Sequence, residues 1–274
     1  MYPKITIVTV TYNCKNMIES TIESVLCQSY DNTEYLIIDG GSTDGTVDII
    51  RRYSSSLDYF ISEKDNGIYD AMNKGLIAAT GDWIIFMNAG DFFVDKNVLK
   101  TVIDLIDESA VVVYGDVIKQ YDGSYYHATP SGIEHIEEVM PVFHQAAFVR
   151  LSYHKQHLFD CSYRSSGDYS FFYNCYFVNH ACFQYVPVII ACFDSRGGMS
   201  KDNHGLSMRE NLRIWGKEDD ILFRTRLEFS LFKHGIKRWI KRYLINRDKC
   251  REIEISRRIR EGKKVVKGDF KFVD

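Results

Sequence analysis

The sequence predicts an α/β fold in which a mostly parallel sheet is flanked by helices on both faces. Over the first 115 residues, short runs rich in β-branched residues alternate with segments of helical spacing. This alternation is typical of parallel strands joined by crossover helices. With 45% hydrophobic and 26% charged residues in 274 positions, the composition excludes a disordered or collagen-like chain.

The predicted elements follow one another in a regular order. The strands are predicted at 5–10, 35–38, 59–62, 83–87 and 111–114. The first helix is predicted to start at a capping-box-like pair, Asn16 with Glu19, and the last of the series to run over 95–107. Ligands of parallel sheets bind outside the carboxyl ends of the strands. We therefore expect one site to be formed by the loops at 12–13, 39–45, 63–66 and 88–91.

Several other kinds of site are disfavoured. The chain has neither the Gly-x-Gly-x-x-Gly of a dinucleotide site after its first strand nor a P-loop, and it lacks a nucleophile elbow. Its seven cysteines form no Cys-x-x-Cys pair, which argues against a zinc site or a disulfide framework, so we expect reduced and mostly buried thiols. No apolar run reaches about 18 residues and the first residues do not resemble a signal peptide, so a cytoplasmic location is expected.

The charges divide the chain into an acidic body and a basic tail. Residues 1–223 hold 17 Lys and Arg against 30 Asp and Glu, a net charge of −13, whereas residues 224–274 hold 17 against 7, a net charge of +10. Within the tail, apolar residues recur at helical spacing among the cations: Leu227, Leu231, Ile236, Trp239, Ile240 and Tyr243. Over 224–245 this pattern is typical of a helix at a membrane interface, and we expect the segment 224–267 to bind an anionic membrane surface. A helix packed on the body and a dimer helix are the alternatives, and nucleic acid is disfavoured because nothing else resembles a nucleic-acid-binding module.

Five segments carry a resemblance to a known family. They lie at 5–13, 24–30, 38–46, 63–75 and 81–91, and the last reads Gly-Asp-Trp-Ile-Ile-Phe-Met-Asn-Ala-Gly-Asp. These segments resemble the family 2 glycosyltransferases of GT-A fold, and the resemblance extends over about residues 4–200. It implies an inverting transferase that moves a sugar from a nucleotide donor, a UDP-sugar, to a hydroxyl of a saccharide acceptor.

The resemblance also implies a domain organisation and a setting. Residues 1–221 would form the GT-A domain, with a nucleotide-binding half at 1–115 and an acceptor-binding half at 116–221, and residues 222–274 a basic helical extension. The setting implied is bacterial surface-polysaccharide assembly, such as O-antigen, capsule or exopolysaccharide synthesis. The acceptor would then be a lipid-linked saccharide, and the protein would lie at the inner face of the cell membrane.

On the donor side, the resemblance assigns roles to four residues. Tyr12 matches the position that stacks on the base, Asp39 the carboxylate that accepts a uracil N–H, and Asp65 a nucleoside contact. Asp91 matches the acid that binds a divalent metal, Mn²⁺ or Mg²⁺, which neutralises the leaving diphosphate. From the residues alone, Asp39 and Asp91 could instead be turn residues and Asp44 a helix cap.

On the acceptor side, the resemblance assigns the base. Asp168, in the segment 159–169, matches the acid that deprotonates the attacking hydroxyl, while a helix cap is the structural alternative. His144 and Gln145 match residues that line the acceptor or donor-sugar side, although a lone histidine is more often structural. The segment 196–200 resembles a loop that covers the diphosphate in the subgroup, with a plain turn as the alternative.

One departure from the family pattern affects the metal site. Many relatives carry acids where this chain has Asn88 and Gly90, so Asp91 is the sole acid of its element. We therefore expect the metal to be held largely by the diphosphate and water. The departure leaves open a non-catalytic nucleotide-sugar or carbohydrate binding protein. A nucleotidyltransferase that makes sugar nucleotides is disfavoured, because the loop after the first strand is not Gly-rich.

Overall fold

Four parallel strands form the part of the sheet that contains the predicted loops. They are β1 (Ile5–Thr11), β2 (Thr33–Asp39), β3 (Tyr59–Ser62) and β4 (Trp83–Phe86). In the computed structural model they lie side by side in the order β3-β2-β1-β4. The register pairs Thr11 with Asp39 and Asp39 with Ser62, so the carboxyl ends of three strands meet at one level. The structure describes residues 2–121, 124–195, 204–225, 227–229, 231–232 and 265–266.

Helices cover both faces of this sheet. They are α1 (Ile18–Leu26), α2 (Thr46–Arg52), α3 (Ile68–Ala78), α4 (Val98–Ile103), α5 (Leu151–Gln156), α6 (Gly167–Phe177) and α7 (His204–Ile214). Alternate residues of each strand enter different cores: in β1, Ile5 and Ile7 pack with α1, α2 and α4, whereas Val8 and Val10 pack with α3, α5 and α6. This two-sided burial explains why the strands read as continuous apolar runs.

The second half of the chain extends the same sheet with mixed strand directions. It adds β5 (Phe92–Phe93), β6 (Val112–Tyr121), β7 (Ser124–Ala128), β8 (Ala147–Arg150) and β9 (Phe183–Asp194). Strand β8 runs antiparallel between β4 and β6, and β9 runs parallel to β6. The predicted α/β fold with a mostly parallel, helix-flanked sheet is thus confirmed. The predicted acceptor-side residues His144 and Gln145 lie in the turn before β8, and Asp168 lies at the start of α6.

Some local predictions were wrong. Helix α1 begins at Ile18 after Met17, with no side-chain cap, so the predicted capping box does not form. Helix α4 covers only six residues of the predicted 95–107, because Asp95 accepts the Asn97 N–H in a turn that precedes the helix. Of the six described cysteines, all of them free, only two are buried, so the thiols are mostly not core residues.

The described start of the tail is helical and packs partly on the domain. Residues 221–225, 227–229 and 231–232 are helical, Leu227 is 6% exposed, and Leu231 lies against Gly205 of α7. Leu227 and Leu231 therefore face the domain and not a membrane, contrary to the pattern-based expectation. The same helix leaves a different set of apolar side chains exposed: Ile221, Leu222, Phe229 and Phe232. Among the described residues, no helix is long and apolar enough to cross a membrane.

The rest of the predicted tail and the loop at 196–200 lie outside the described residues, apart from one short strand. That strand, β10 (Val265–Val266), pairs antiparallel with the edge strand β7. Pairing of this kind satisfies backbone groups that an edge strand leaves unpaired.

Candidate active site

Tyr12, Asp39 and Asp65 converge at Gly40, at the ends of β1 and β2. A Cβ atom at Gly40 would lie 2.3 Å from Asp65 Oδ2 and 3.4 Å from Tyr12 Cδ2, so only glycine lets these side chains approach the backbone. The Tyr12 ring is 62% exposed, which leaves a face of the ring open to a planar ligand. The structure therefore brings together the three residues that the resemblance placed on the nucleoside.

The carboxylate of Asp39 is fully buried and holds the loop that follows β2. Its Oδ2 accepts the N–H groups of Gly41 and Ser42 and the hydroxyl of Ser62, while its Oδ1 accepts the Ser42 hydroxyl. These donors compensate the cost of burying the carboxylate. Asp39 therefore has the turn-forming role in the structure. Its contact with uracil stays a prediction, and Oδ1 retains one acceptor position for it.

The loops after β1 and β2 are joined to each other. Asn13 adopts a left-handed conformation (φ 52°), its N–H donates to Ser42 Oγ, and its Oδ1 accepts the Thr43 N–H. Asp44, one residue before the N-cap Gly45, accepts the N–H of Lys15 and the N–H of Thr46, the first residue of α2, so it bonds a free N–H of the helix from outside the N-cap position. These bonds fix the position of Tyr12 relative to the β2 loop.

Asp91 follows β4 in a turn that Gly90 makes possible. Gly90 has φ +101°, a conformation that residues with a Cβ rarely adopt, which gives a physical reason why no acid stands at that position. Burial raises the pKa of Asp91 to about 7, against the attraction of the nearby His144. Asn88 Oδ1, three residues earlier, is buried and has no hydrogen-bond partner within the described structure.

Oxygen ligands of this kind suit a hard divalent cation. In the described part of the chain, no cluster of three or more His, Cys, Asp or Glu residues could hold a metal by itself. The orphaned amide oxygen of Asn88 and the carboxylate of Asp91 nevertheless fit a cation that takes its other ligands from a diphosphate.

Asp168 lies at the start of α6 and is bonded to two residues from distant parts of the chain. Its Oδ1 accepts the Tyr69 hydroxyl (3.0 Å) and the Tyr169 N–H (2.9 Å), and its Oδ2 lies 3.2 Å from His144 Nδ1. The other ring nitrogen of His144, Nε2, faces Asn88 Nδ2 at 3.3 Å. While His144 is neutral, a proton on Nδ1 would be directed at Asp168 and Nε2 would accept from the Asn88 amide; protonation of His144 places a second proton on Nε2 and ends that acceptance.

The contact between Asp168 and His144 shifts the pKa of both groups. Burial by itself would raise the pKa of Asp168 and lower the pKa of His144. The hydrogen bond and the charge attraction between the two groups outweigh burial, so the pKa of Asp168 is lowered and the pKa of His144 is raised. Asp91 adds to the increase at His144, which connects the predicted metal side with the predicted base.

Sequence reasoning missed two residues of this arrangement. Tyr69 donates to Asp168 from the first turn of α3, and Asn88 contacts His144. Nothing in one sequence signals that residues 69 and 168 meet, because the contact depends on how α3 and α6 pack on one face of the sheet. Gln145 is buried beside His144 in the turn before β8, and its predicted role on the acceptor or sugar side stays a prediction.

Comparison with protein families gives a direct match. The model of the family described as "Glycosyl transferase family 2" matches residues 6–167, more than half of the chain. The chain belongs to this family. The matched range includes Tyr12, Asp39, Asp65 and Asp91 and ends one residue before Asp168.

Relatives with assigned names support the same class. A "PGL/p-HBAD biosynthesis glycosyltransferase" of Mycobacterium bovis is 28% identical over 204 residues, which are 72% of this chain and 79% of that protein. A "putative teichuronic acid biosynthesis glycosyltransferase TuaG" of Bacillus subtilis is 36% identical over 92 residues, 32% of this chain and 36% of that protein. This protein is a glycosyltransferase.

Solved structures support the fold. The S. aureus protein TarS (1–349) in complex with UDP-GlcNAc gives a TM-score of 0.61 at 19% identity, over 77% of this chain and 66% of that one. A mannosyltransferase of Pyrobaculum calidifontis in complex with GDP-Man and Mn²⁺ gives a TM-score of 0.62 at 17% identity, over 79% of this chain and 64% of that one. The chain thus spans about two thirds of the solved chains it matches. At these identities the likeness confirms the GT-A fold alone.

The ion pair predicts a defined titration of His144. We expect His144 to titrate above its ordinary pKa of about 6.5 in the metal-free protein, and below it in the variant Asp168→Asn, where burial acts without the carboxylate. Nuclear magnetic resonance of the imidazole carbons against pH measures both values. Asp160→Asn, an equivalent change at a carboxylate that contacts Ser162 and Arg213, is the matched control. An unchanged His144 titration in Asp168→Asn would show that the pair does not form in solution.

Proposed function

We propose that the protein is an inverting glycosyltransferase that moves a sugar from a UDP-sugar to a hydroxyl of a saccharide acceptor. The observation that carries this proposal is the Asp168–His144 pair, in which a partly buried carboxylate stays ionised and His144 lies within electrostatic reach of Asp91. An ionised carboxylate on the acceptor side and hard oxygen ligands on the diphosphate side are what a single displacement at the anomeric carbon requires.

In the proposed reaction, Asp168 acts as the general base. The acceptor oxygen forms a bond to the anomeric carbon while its proton moves to Asp168 Oδ2, and the bond between that carbon and the diphosphate oxygen breaks. The nucleoside diphosphate leaves with the bonding electron pair, so the configuration inverts. Tyr69 and the Tyr169 N–H hold Oδ1, which orients Oδ2, and His144 stabilises the charge before transfer.

The diphosphate side would hold a divalent cation, Mn²⁺ or Mg²⁺. Asp91 would hold it through its carboxylate, and Asn88 through the amide oxygen that has no other described partner. A cation there would offset the charge of the leaving diphosphate and would compensate the charge of the partly buried Asp91. The Mn²⁺ in the named mannosyltransferase complex supports this assignment.

Uridine is the proposed base of the donor. Tyr12 would stack on the base, Asp39 would accept its N–H, and Asp65 would contact the nucleoside, since all three meet at Gly40. The complex of the structural neighbour TarS with UDP-GlcNAc supports this choice. The GDP-Man complex of the second neighbour shows why the base needs a direct test.

The names of the relatives support a role in surface-glycan assembly. The relatives are named as glycosyltransferases of PGL/p-HBAD and of teichuronic acid biosynthesis. From the family resemblance and the basic tail, we propose a lipid-linked saccharide as acceptor at the cytoplasmic face of the membrane. Residues 1–115 would bind the nucleotide, residues 116–221 the acceptor, and the basic segment 224–267 an anionic membrane surface. O-antigen, capsule and exopolysaccharide synthesis are the settings that this chemistry fits.

The sequence also left open a binding protein of the same fold without turnover, an alternative that the family match and the named glycosyltransferase relatives disfavour. It is favoured by a single observation, the replacement of two acids by Asn88 and Gly90. Acceptor-stimulated release of UDP from a panel of UDP-, GDP- and dTDP-sugars decides between the two functions, because a binding protein would release none.

The base assignment predicts a loss of turnover without a loss of binding. Asp168→Asn should lower kcat by about 10²- to 10⁴-fold, the contribution of a positioned base, and leave the Kd for UDP near that of the wild type. Asp91→Asn should instead weaken metal-dependent UDP binding. Nucleotide release and calorimetry measure the two effects, with Asp160→Asn as the matched control. Wild-type turnover in Asp168→Asn would place the base elsewhere.

The close contacts around Gly40 predict that an alanine at this position weakens nucleotide binding. Gly40→Ala places a methyl group where Asp65 Oδ2 now lies, so Asp65 must move and the Kd for UDP should rise by about 10-fold or more. Gly205→Ala, where the added carbon meets only ordinary contacts at 3.8 Å, is the control and should bind UDP like the wild type. Calorimetry with UDP and GDP also tests the base: equal affinities would contradict the uridine assignment.

The membrane proposal is testable on the exposed part of the tail helix. Leu222 and Phe229, seven residues apart and 70% and 59% exposed, lie on one helix face. Changing both to Glu should abolish co-sedimentation with anionic vesicles and leave the melting temperature unchanged, because neither side chain is buried. Ile77→Glu, an exposed apolar position on α3, is the control. High salt should weaken binding, and no sedimentation of the wild type at low salt would contradict the proposal.

A further inference from the structure

Glu210 is a buried acid outside the site described so far. It lies on α7, is 8% exposed, and faces the segment that leads into α6. Its Oε1 accepts the Arg164 N–H (2.7 Å), and its Oε2 accepts the N–H groups of Ser165 (3.0 Å) and Ser166 (2.8 Å). One carboxylate thus binds three consecutive backbone amides, and the chain reaches Asp168 two residues later.

The segment 164–166 depends on α7 for its conformation. Ser166 is the N-cap of α6 but makes no side-chain cap bond. Ser207, one turn before Glu210 on α7, contacts the same segment: its hydroxyl lies 2.8 Å from Ser165 Oγ, and its carbonyl accepts the Ser166 hydroxyl. Because a buried carboxylate needs its donors, the amides and Glu210 hold one another in a single arrangement.

On its other side, the same segment touches the donor loop and α3. Arg164 Nη1 donates to the Asn66 carbonyl (3.1 Å), one residue after Asp65. Gly167 packs on the Tyr69 ring, where a Cβ atom would lie 2.8 Å from the ring carbons. Tyr69 in turn donates to Asp168. A displacement of 164–166 therefore moves Asp168 relative to both Tyr69 and His144.

We propose that Glu210 is a positioning residue of the transfer reaction. It fixes the entry to α6 so that the carboxylate of Asp168 stays aligned with His144 and with the attacking hydroxyl. The inference rests on the proposed function, in which Asp168 is the base. Misplacement of a reacting group by about 1 Å costs on the order of 100-fold in rate, so the effect of losing Glu210 is expected in kcat.

The test compares Glu210→Gln with Glu228→Gln, a matched change at an exposed glutamate that pairs with Arg209. The amide nitrogen of the introduced glutamine cannot accept an N–H, so at least one of the three amide bonds is lost. Glu210→Gln should lower kcat by about 10- to 100-fold and leave the Kd for UDP within about 3-fold. Glu228→Gln should match the wild type. All rates are measured well below the lowest melting temperature of the set.

A double-mutant cycle separates positioning from a general structural role. The double variant should have a kcat within about 2-fold of that of Asp168→Asn alone, because the effect of Glu210→Gln passes through Asp168. The His144 pKa should also fall in Glu210→Gln, as its partner moves away. Glu210→Asp keeps both acceptor oxygens and should recover part of kcat; it serves as the variant if Glu210→Gln does not fold.

The outcomes distinguish this inference from the proposed function. Wild-type turnover in Asp168→Asn would overturn the proposed base and this inference with it. Reduced turnover in Asp168→Asn together with wild-type kcat in both Glu210 variants would overturn the inference alone. An equal loss of kcat in the two backgrounds would also overturn it, since Glu210 would then act independently of Asp168.

Discussion

The contact between Asp168 and His144 is the interaction on which the site depends. Each group is partly buried, and each alone would lose its charge more readily, because burial disfavours both an isolated carboxylate and an isolated imidazolium. Together they reverse the effect of burial on each other. The pair also joins the start of α6 to the turn before β8, two segments that no local pattern connects. The pair therefore keeps the Asp168 carboxylate, the proposed base, charged in a partly buried site.

The sequence predicts those parts of the structure that depend on contacts between residues close together in the chain. The strands were found within one or two residues where apolar runs are buried on both faces, as in β1 and β2, and Tyr59–Ser62 was predicted without error. The parallel topology then placed residues 12, 39, 65 and 91 at one edge before any family was considered. The ends of α1 and α4 were wrong, because turn bonds compete with helical ones there. Tyr69 and Glu210 were missed because their partners lie 99 and more than 40 residues away.

The turn after β4 shows how backbone geometry and ligand chemistry are combined in one element. Gly90 meets a conformational demand that an acidic residue would meet poorly, and Asp91 then carries the carboxylate alone. The partly buried carboxylate of Asp91, with a pKa of about 7, is stabilised little by its protein neighbours. In the proposed function, a cation bound with the diphosphate would stabilise it more, and Asn88 Oδ1 would be a further oxygen ligand. The departure from the family's acids is thus compatible with a metal whose affinity depends on the donor.

Helix α7 connects the segment before Asp168 with the start of the tail helix. Through Glu210 and Ser207 it holds the segment before Asp168, and through Trp215, which follows its last residue, it donates to the Tyr169 hydroxyl at 2.8 Å. On its outer side, Gly205 and Arg209 contact the start of the tail helix at Leu231 and Glu228. Within the described part of the chain, α7 therefore contacts both the start of the tail helix and the segment that leads to Asp168.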